Sequence, residues 1–338
     1  MKLYAGIDLH SNNSVVSIID EEDRVVFEKR LSNQLESILL ALASFKQWLV
    51  GIVVESTYNW YWLVDGLMQA GYRVHLANTA AIPSYAGIKH TDDEHDARWL
   101  AHLLRLDILP EGYIYPREAR AVRDLMRRRM QLVRTRTSQL LAIGTQFERT
   151  RGAGARAQDL EQMSPRELVQ LLGDANVASG IQANLAVVRV LDAQIERLEG
   201  EIVQQVHLAA QFGPLRTIPG IGQILALAIM LETGEIARFA KVGHYASYAR
   251  CVDSARLSNG KKKGANNTKC GNAYLAWAFI EAAHFAVRYN ARIKAFYQRK
   301  AARTNKIVAV KAVAHKLARA AYWVMRERAP FDIERAFA

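Results

Sequence analysis

The sequence predicts an α/β front followed by an all-α back, on three observations. β-Branched runs alternate with helical stripes as far as Ala77. From Arg117 onwards the apolar positions recur at helical spacing. The charge is also split: the net +12 comes from the back, where 22 Lys and Arg face 7 Asp and Glu after residue 205, while the front is close to balance. Half of the 338 residues are apolar, enough to bury two or three cores and to exclude a disordered chain.

In order, Leu3–Asp8 (LYAGID), Ser14–Ile19 (SVVSII) and Arg24–Lys29 (RVVFEK) are short and β-branched, with turn residues between them. They predict a three-stranded meander. A helix follows from Gln34 to Trp48, with Leu35, Ile38, Leu39, Leu42 and Phe45 on one stripe. Gly51–Glu55 predicts a buried strand, Asn59–Gln69 a helix stopped by Gly71, and Tyr72–Ala77 another strand. Thr91–Arg98 (TDDEHDAR) opens a helix through Trp99, Leu100, Leu103 and Leu104. The order βββαβαβα is that of the RNase H-like fold, although pattern alone leaves other α/β folds open.

In that order Asp8 and Glu55 end two strands beside the helix that carries Asp93 and Asp96, which share a helical face. Four carboxylates meeting there form the arrangement that metal-assisted phosphodiester chemistry needs, and Mg²⁺ suits a site of hard oxygens. Asp92 could stand in for Asp93. The plainer reading makes Asp8 a turn cap, Glu55 an arginine partner and the acidic run a solvated helix N-terminus.

A long helix from Arg117 to Arg149 carries Arg123, Arg127 and Arg134 on one face, a stripe able to track a phosphate backbone or simply to meet water. GAGARAQ at 152–158 is a flexible break. Val188, Leu191, Ile195, Leu198 and Ile202 form a short coiled-coil seam, either a dimer contact or a helix pair within the chain. Ile218–Gly222 (IPGIG) opens a helix. Gly220 and Gly222 there allow close approach of a phosphate, as in helix-hairpin-helix DNA binders, or close packing. Arg250–Gly271 reads as a loop of some twenty residues holding Ser254, Ser258, Arg256, Lys261, Lys262, Lys263 and Lys269. It reads first as a nucleic-acid-binding loop, and its hydroxyls beside basic groups also suit nucleophilic attack on phosphorus. The remaining helices, from Ala273, carry basic residues over an Ala/Val/Leu core and suit a large nucleic-acid surface.

Two cysteines, Cys251 and Cys270, fit a reducing cytoplasm, and neither a signal peptide nor a transmembrane run is expected. An actin-like sugar kinase or ATPase also opens on a GID strand, but Leu9-His10-Ser11 supplies no glycine-rich phosphate loop. A metal-dependent RuvC-like nuclease or Holliday-junction resolvase, hydrolysing without a covalent serine intermediate, needs only the carboxylates.

The ordered set YAGID, VVEST, DEHDAR, TIPGIG and the segment Arg256–Gly271 resembles the DEDD-type transposases of bacterial insertion sequences over nearly the whole chain. The resemblance implies a RuvC-like catalytic domain over 1–150, a helical coiled-coil linker over 151–205 and a helical transposase domain over 206–338. It also implies a recombinase that moves its own element under a structured guide RNA, which pairs with donor and target DNA. Ser258 is then the nucleophile, with Ser254 as second candidate, and Asp8, Glu55, Asp93 and Asp96 hold Mg²⁺. The implied assembly is a dimer that becomes a tetramer on DNA, in the bacterial cytoplasm at the nucleoid.

Overall fold

In a computed structural model the chain is described except at residues 83–92, 157–158, 161, 208, 253–255, 265–269 and 338. It divides into two compact units, Met1–Arg117 with Ser254–Cys270, and Glu118–Asp253 with Gly271–Ala338.

The first unit is built on a six-stranded mixed sheet of β1 (Leu3–Leu9), β2 (Asn13–Ile19), β3 (Val25–Ser32), β4 (Leu49–Glu55), β5 (Val74–Ala77) and β6 (Glu111–Gly112). Its order is β3-β2-β1-β4-β5-β6. The first three strands pair antiparallel, β4 and β5 run parallel to β1, and β6 returns antiparallel at the edge. This is the RNase H-like arrangement. Helices α1 (Leu35–Ala43) and α2 (Tyr61–Gln69) cover one face, where Ile38, Leu42, Leu63 and Leu67 pack on Leu3, Ala5, Ile7 and Ile52.

Because side chains alternate along a strand, Gly6 and Asp8 point to the other face, under α3 (Asp93–Arg105). A Cβ on Gly6 would stand 2.0 Å from the Ala97 carbonyl oxygen and 2.8 Å from the Ala101 nitrogen. The backbone of α3 therefore lies directly on β1, and only glycine permits that approach. Leu100 of α3 joins Val53 and Ala77 in a small core beside it.

The second unit is helical. It comprises α4 (Arg117–Arg151), α5 (Pro165–Leu172), α6 (Ala175–Val206), α7 (Phe212–Leu215), α8 (Gln223–Thr233), α9 (Val242–Tyr248), α10 (Ala273–Tyr289), α11 (Ala291–Arg303), α12 (Lys306–Glu327) and α13 (Ile333–Phe337). The seam read from Val188 to Ile202 is a helix pair within the chain. Ion pairs Arg129–Glu199 and Arg136–Asp192 tie α4 to α6, and Ile143 and Phe147 pack with Ile181 and Leu185. Helix α8 is buried on all sides from Leu225 to Thr233, in a core shared with Tyr245, Phe279 and Tyr322. Among the described residues no helix is long and apolar enough to cross a membrane.

Candidate active site

Strand register and the Gly6 contact assemble the carboxylates. Ile7 pairs with Val54 in the parallel β1/β4 ladder, so Asp8 and Glu55, one residue further along each strand, are neighbours on the face under α3. They lie at the carboxyl ends of parallel strands, where α/β sheets place their sites. Ala97, the residue that touches Gly6, follows Asp96 directly, so the close contact also delivers the first turn of α3. Asp8 is buried at 4% exposure, Glu55 half-buried and Asp96 exposed.

These groups sense one another. Burial, a hydrogen bond with Asp8 and the negative charges of Asp8 and Asp96 push the Glu55 carboxyl up to about 8. Asp93 sits in a different setting. Arg30 Nη2 donates to its Oδ2 at 2.7 Å, and His10 Nε2 lies 3.2 Å from the same oxygen, which together hold its carboxyl below the ordinary range. His10 Nε2 is also 3.3 Å from Asp8 Oδ2, so the imidazole bridges the first strand and α3. The carbonyl of His10 accepts from Asn33 Nδ2 and Asn59 Nδ2, each at 3.0 Å, which fixes the turn after β1. His10 is a site residue that the sequence alone does not single out. Its only signal was a histidine two residues past Asp8, and the Asn33 and Asn59 contacts that hold it come from distant turns.

A divalent cation fits these groups. One atom each from Asp8, His10 and Asp93 lie within 4.8 Å of one another. His10 Nε2 is held between the carboxylates of Asp8 and Asp93, and the repulsion that Glu55 meets from Asp8 and Asp96 is what a cation relieves.

The segment read as a loop contains a β-hairpin, β7 (Arg256–Ser258) with β8 (Lys261–Gly264). Asn259 and Gly260 form its two-residue turn with φ of 49° and 71°, the positive pair that a tight hairpin demands and that an Asn-Gly sequence supplies. Ser258 is exposed at the turn and faces Lys261 across the ladder. Arg256 and Lys262 lie on the two strands, and Lys263 is exposed. Ser254, Lys269 and Asp92 lie outside the described residues.

The other basic and glycine positions divide by environment. Arg134 is exposed, whereas Arg123 is mostly covered, 3.5 Å from Asp124. Arg127 turns inwards: its Nε and Nη2 donate to the two carboxylate oxygens of buried Glu232 at 2.6 and 2.7 Å, and its guanidinium stacks over Tyr274. Asn272 Nδ2 donates to the same Glu232 at 2.7 Å. Gly220, with φ of 85°, packs against α10, where a Cβ would meet the Ala282 carbonyl at 2.2 Å. Close packing is thus its role in the fold, while Gly222 is the exposed N-cap of α8.

Two family profiles match the chain. One, for a DEDD transposase of the IS110 type, covers residues 5–150 and so takes in all four carboxylates. The other, described as the transposase IS116/IS110/IS902 family, covers residues 213–298 and takes in the Ser258 hairpin. The chain is 26% identical over 291 residues to a family 20 transposase of Pseudomonas aeruginosa strain PAO1, across 84% of this chain and 83% of that one. It is 26% identical over 239 residues to a transposase of Sinorhizobium fredii strain NGR234, across 70% of this chain and 57% of that one.

Proposed function

The chain belongs to the DEDD-type transposases of bacterial insertion sequences, proteins that cleave and rejoin DNA, and from that premise we propose that it does so by serine attack under the direction of a structured guide RNA. Ser258 Oγ forms a bond to phosphorus, the bond from phosphorus to the departing sugar oxygen breaks, and that oxygen leaves with a proton. Rejoining reverses the exchange, so the number of phosphodiester-type bonds is conserved and no outside energy source is required. Lys261, across the hairpin from Ser258, offers positive charge where the phosphoryl oxygens gain negative charge. Asp8, Glu55, Asp93 and Asp96 are the residues that would hold Mg²⁺, with His10 beside them. The bound ion would supply Lewis-acid stabilisation of the phosphate.

Residues 1–150 thus carry the acids, 151–205 form the linker and 206–338 bring the serine and the basic surface. The working form is a tetramer on DNA, assembled at the nucleoid in the cytoplasm, and the guide RNA and both DNA partners occupy its basic faces.

One observation carries this reading: acids from two strands and a helix share one electrostatic neighbourhood, in the same compact unit as an exposed serine at a basic hairpin turn. The test is Ser258→Ala. Recombination should fall by on the order of 10³-fold or more, the covalent protein–DNA adduct seen by mass spectrometry should vanish, and nucleic-acid binding should persist. Cleavage by that variant, with free strand ends and no adduct, would instead mark a hydrolytic RuvC-like nuclease. Sequencing of copurified nucleic acid checks the guide, and a single abundant structured RNA is expected.

A further inference from the structure

Helix α10 ends in a pair of aromatic rings that the fold leaves outside. Phe285 and Tyr289, four residues apart, are 45% and 70% exposed. Their rings lie within 8° of parallel, with centroids 6.5 Å apart. Exposure on this scale runs against the hydrophobic effect, and the helix cannot turn to relieve it. The adjoining stripe of the same helix, at Ala282 and Ala286, is pressed against Gly220 so closely that not even a methyl group fits between.

The surroundings are cationic. Arg288 stacks its guanidinium 5.3 Å from the Tyr289 centroid, and no carboxylate pairs with it among the described residues. From Gly271 to Ala338 there are 13 Lys and Arg against 4 acids, and of those acids Glu334 and Glu327 pair with Arg292 and Arg335. Flat apolar rings beside the exposed Arg288, on a strongly basic stretch of chain, match a partner with π-faces on a polyanionic backbone. A second copy of this face is a poor partner, because a two-fold contact would set like charges against one another.

We propose that Phe285 and Tyr289 form a stacking platform for unpaired bases of a DNA strand. A duplex hides its base faces inside the stack, so rings on a rigid helix can engage only nucleotides that have left it. Cleaving and rejoining DNA creates such nucleotides, since a severed strand must be held before it is resealed. The platform rests on the family's DNA chemistry and is independent of the serine and of the guide RNA.

The full-length protein is titrated, in chelator and at fixed salt, against a single-stranded DNA oligonucleotide carrying 2-aminopurine, the same sequence as duplex, and the matching RNA strand. Fluorescence anisotropy gives affinity, and quenching of 2-aminopurine reports stacking. The double variant Phe285→Ala/Tyr289→Ala should weaken single-stranded DNA binding by about tenfold or more, abolish the quenching and leave duplex binding within about twofold. Tyr289→Phe, which keeps the ring, should bind as the parent does. The proposal is overturned if the double variant binds single strands unchanged, loses duplex binding equally, changes the oligomeric state in mass photometry, or shows ring dependence with RNA alone. Because no cleavage is measured, a negative result leaves the serine mechanism standing, and failure of Ser258→Ala to stop recombination leaves the platform standing.

Discussion

Glu55 keeps its proton near neutral pH because burial, the hydrogen bond with Asp8 and two neighbouring charges all oppose ionisation. Its folded value of about 8 lies above the ordinary 4.5, so between those values the folded chain binds more protons than the unfolded one. The contribution of Glu55 to stability in chelator should therefore be greatest below the ordinary value and fall as pH rises through about 8. Melting temperature against pH checks this. Glu55→Gln should flatten the curve, and added Mg²⁺ should restore stability at the alkaline end with release of a proton, measured by calorimetry in buffers of different ionisation heat. A second residue-level case is the Arg127–Glu232 pair, in which the glutamate is 1% exposed. Arg127→Met strands that carboxylate and should cost about 3–5 kcal/mol in urea unfolding, while Arg127→Met/Glu232→Gln should cost less than the two single changes summed. The contrast explains what the sequence could reveal at this scale. The four acids could be singled out as candidates because a carboxylate at a strand end or helix start stands out in a sequence, and the grouping of Asp8, Glu55 and Asp96 follows from strand order. Arg127 looked like one more surface arginine, since its partner is 105 positions away.

At the scale of elements, the contact of α3 on β1 depends on one missing methyl group. Gly6→Ala sets a Cβ against the α3 backbone at Ala97 and Ala101 and should cost about 1–3 kcal/mol, with a fall in cation affinity as α3 and its acids shift. Unfolding in urea and calorimetric titration with Mn²⁺ measure the two effects. Gly144→Ala is the control: nothing lies within 4 Å of a Cβ there, and inside α4 the change should be neutral or stabilising by up to about 1 kcal/mol. The order of strands and helices in the front unit could be read from periodicity, because β1 to β5 and the helices between them follow their local pattern. Two elements were readable in kind and still missed. Asn259-Gly260 is a strong short hairpin signal, overshadowed by the length and charge of its segment. Ser164, Pro165 and Glu167 form a full capping box that opens α5. Strand β6 has two residues, too few for any pattern, and exists only because β5 offers it an edge.

Across the whole molecule, the compact units do not follow the order of the chain. Ser254–Cys270 groups with the front sheet, although the helices before and after it belong to the other unit. Such grouping rests on contacts between distant segments, which local patterning cannot reveal. Charge, by contrast, was fully visible: the excess of bases after residue 205 predicts that nucleic-acid affinity falls steeply with salt, roughly 10³-fold between about 50 and about 200 mM. Anisotropy titrations across that range test it, and a shallow slope would move binding away from the basic helices. The paired helices α4 and α6 have a mechanical corollary. Their two charged rungs, Arg129–Glu199 and Arg136–Asp192, are spaced one heptad apart on both partners. Sliding either rod by a turn would break both rungs at once, so slippage is cooperative and discouraged. With 35 residues in the longer rod, about 50 Å end to end, the two rungs brace a long helix against sliding on its partner.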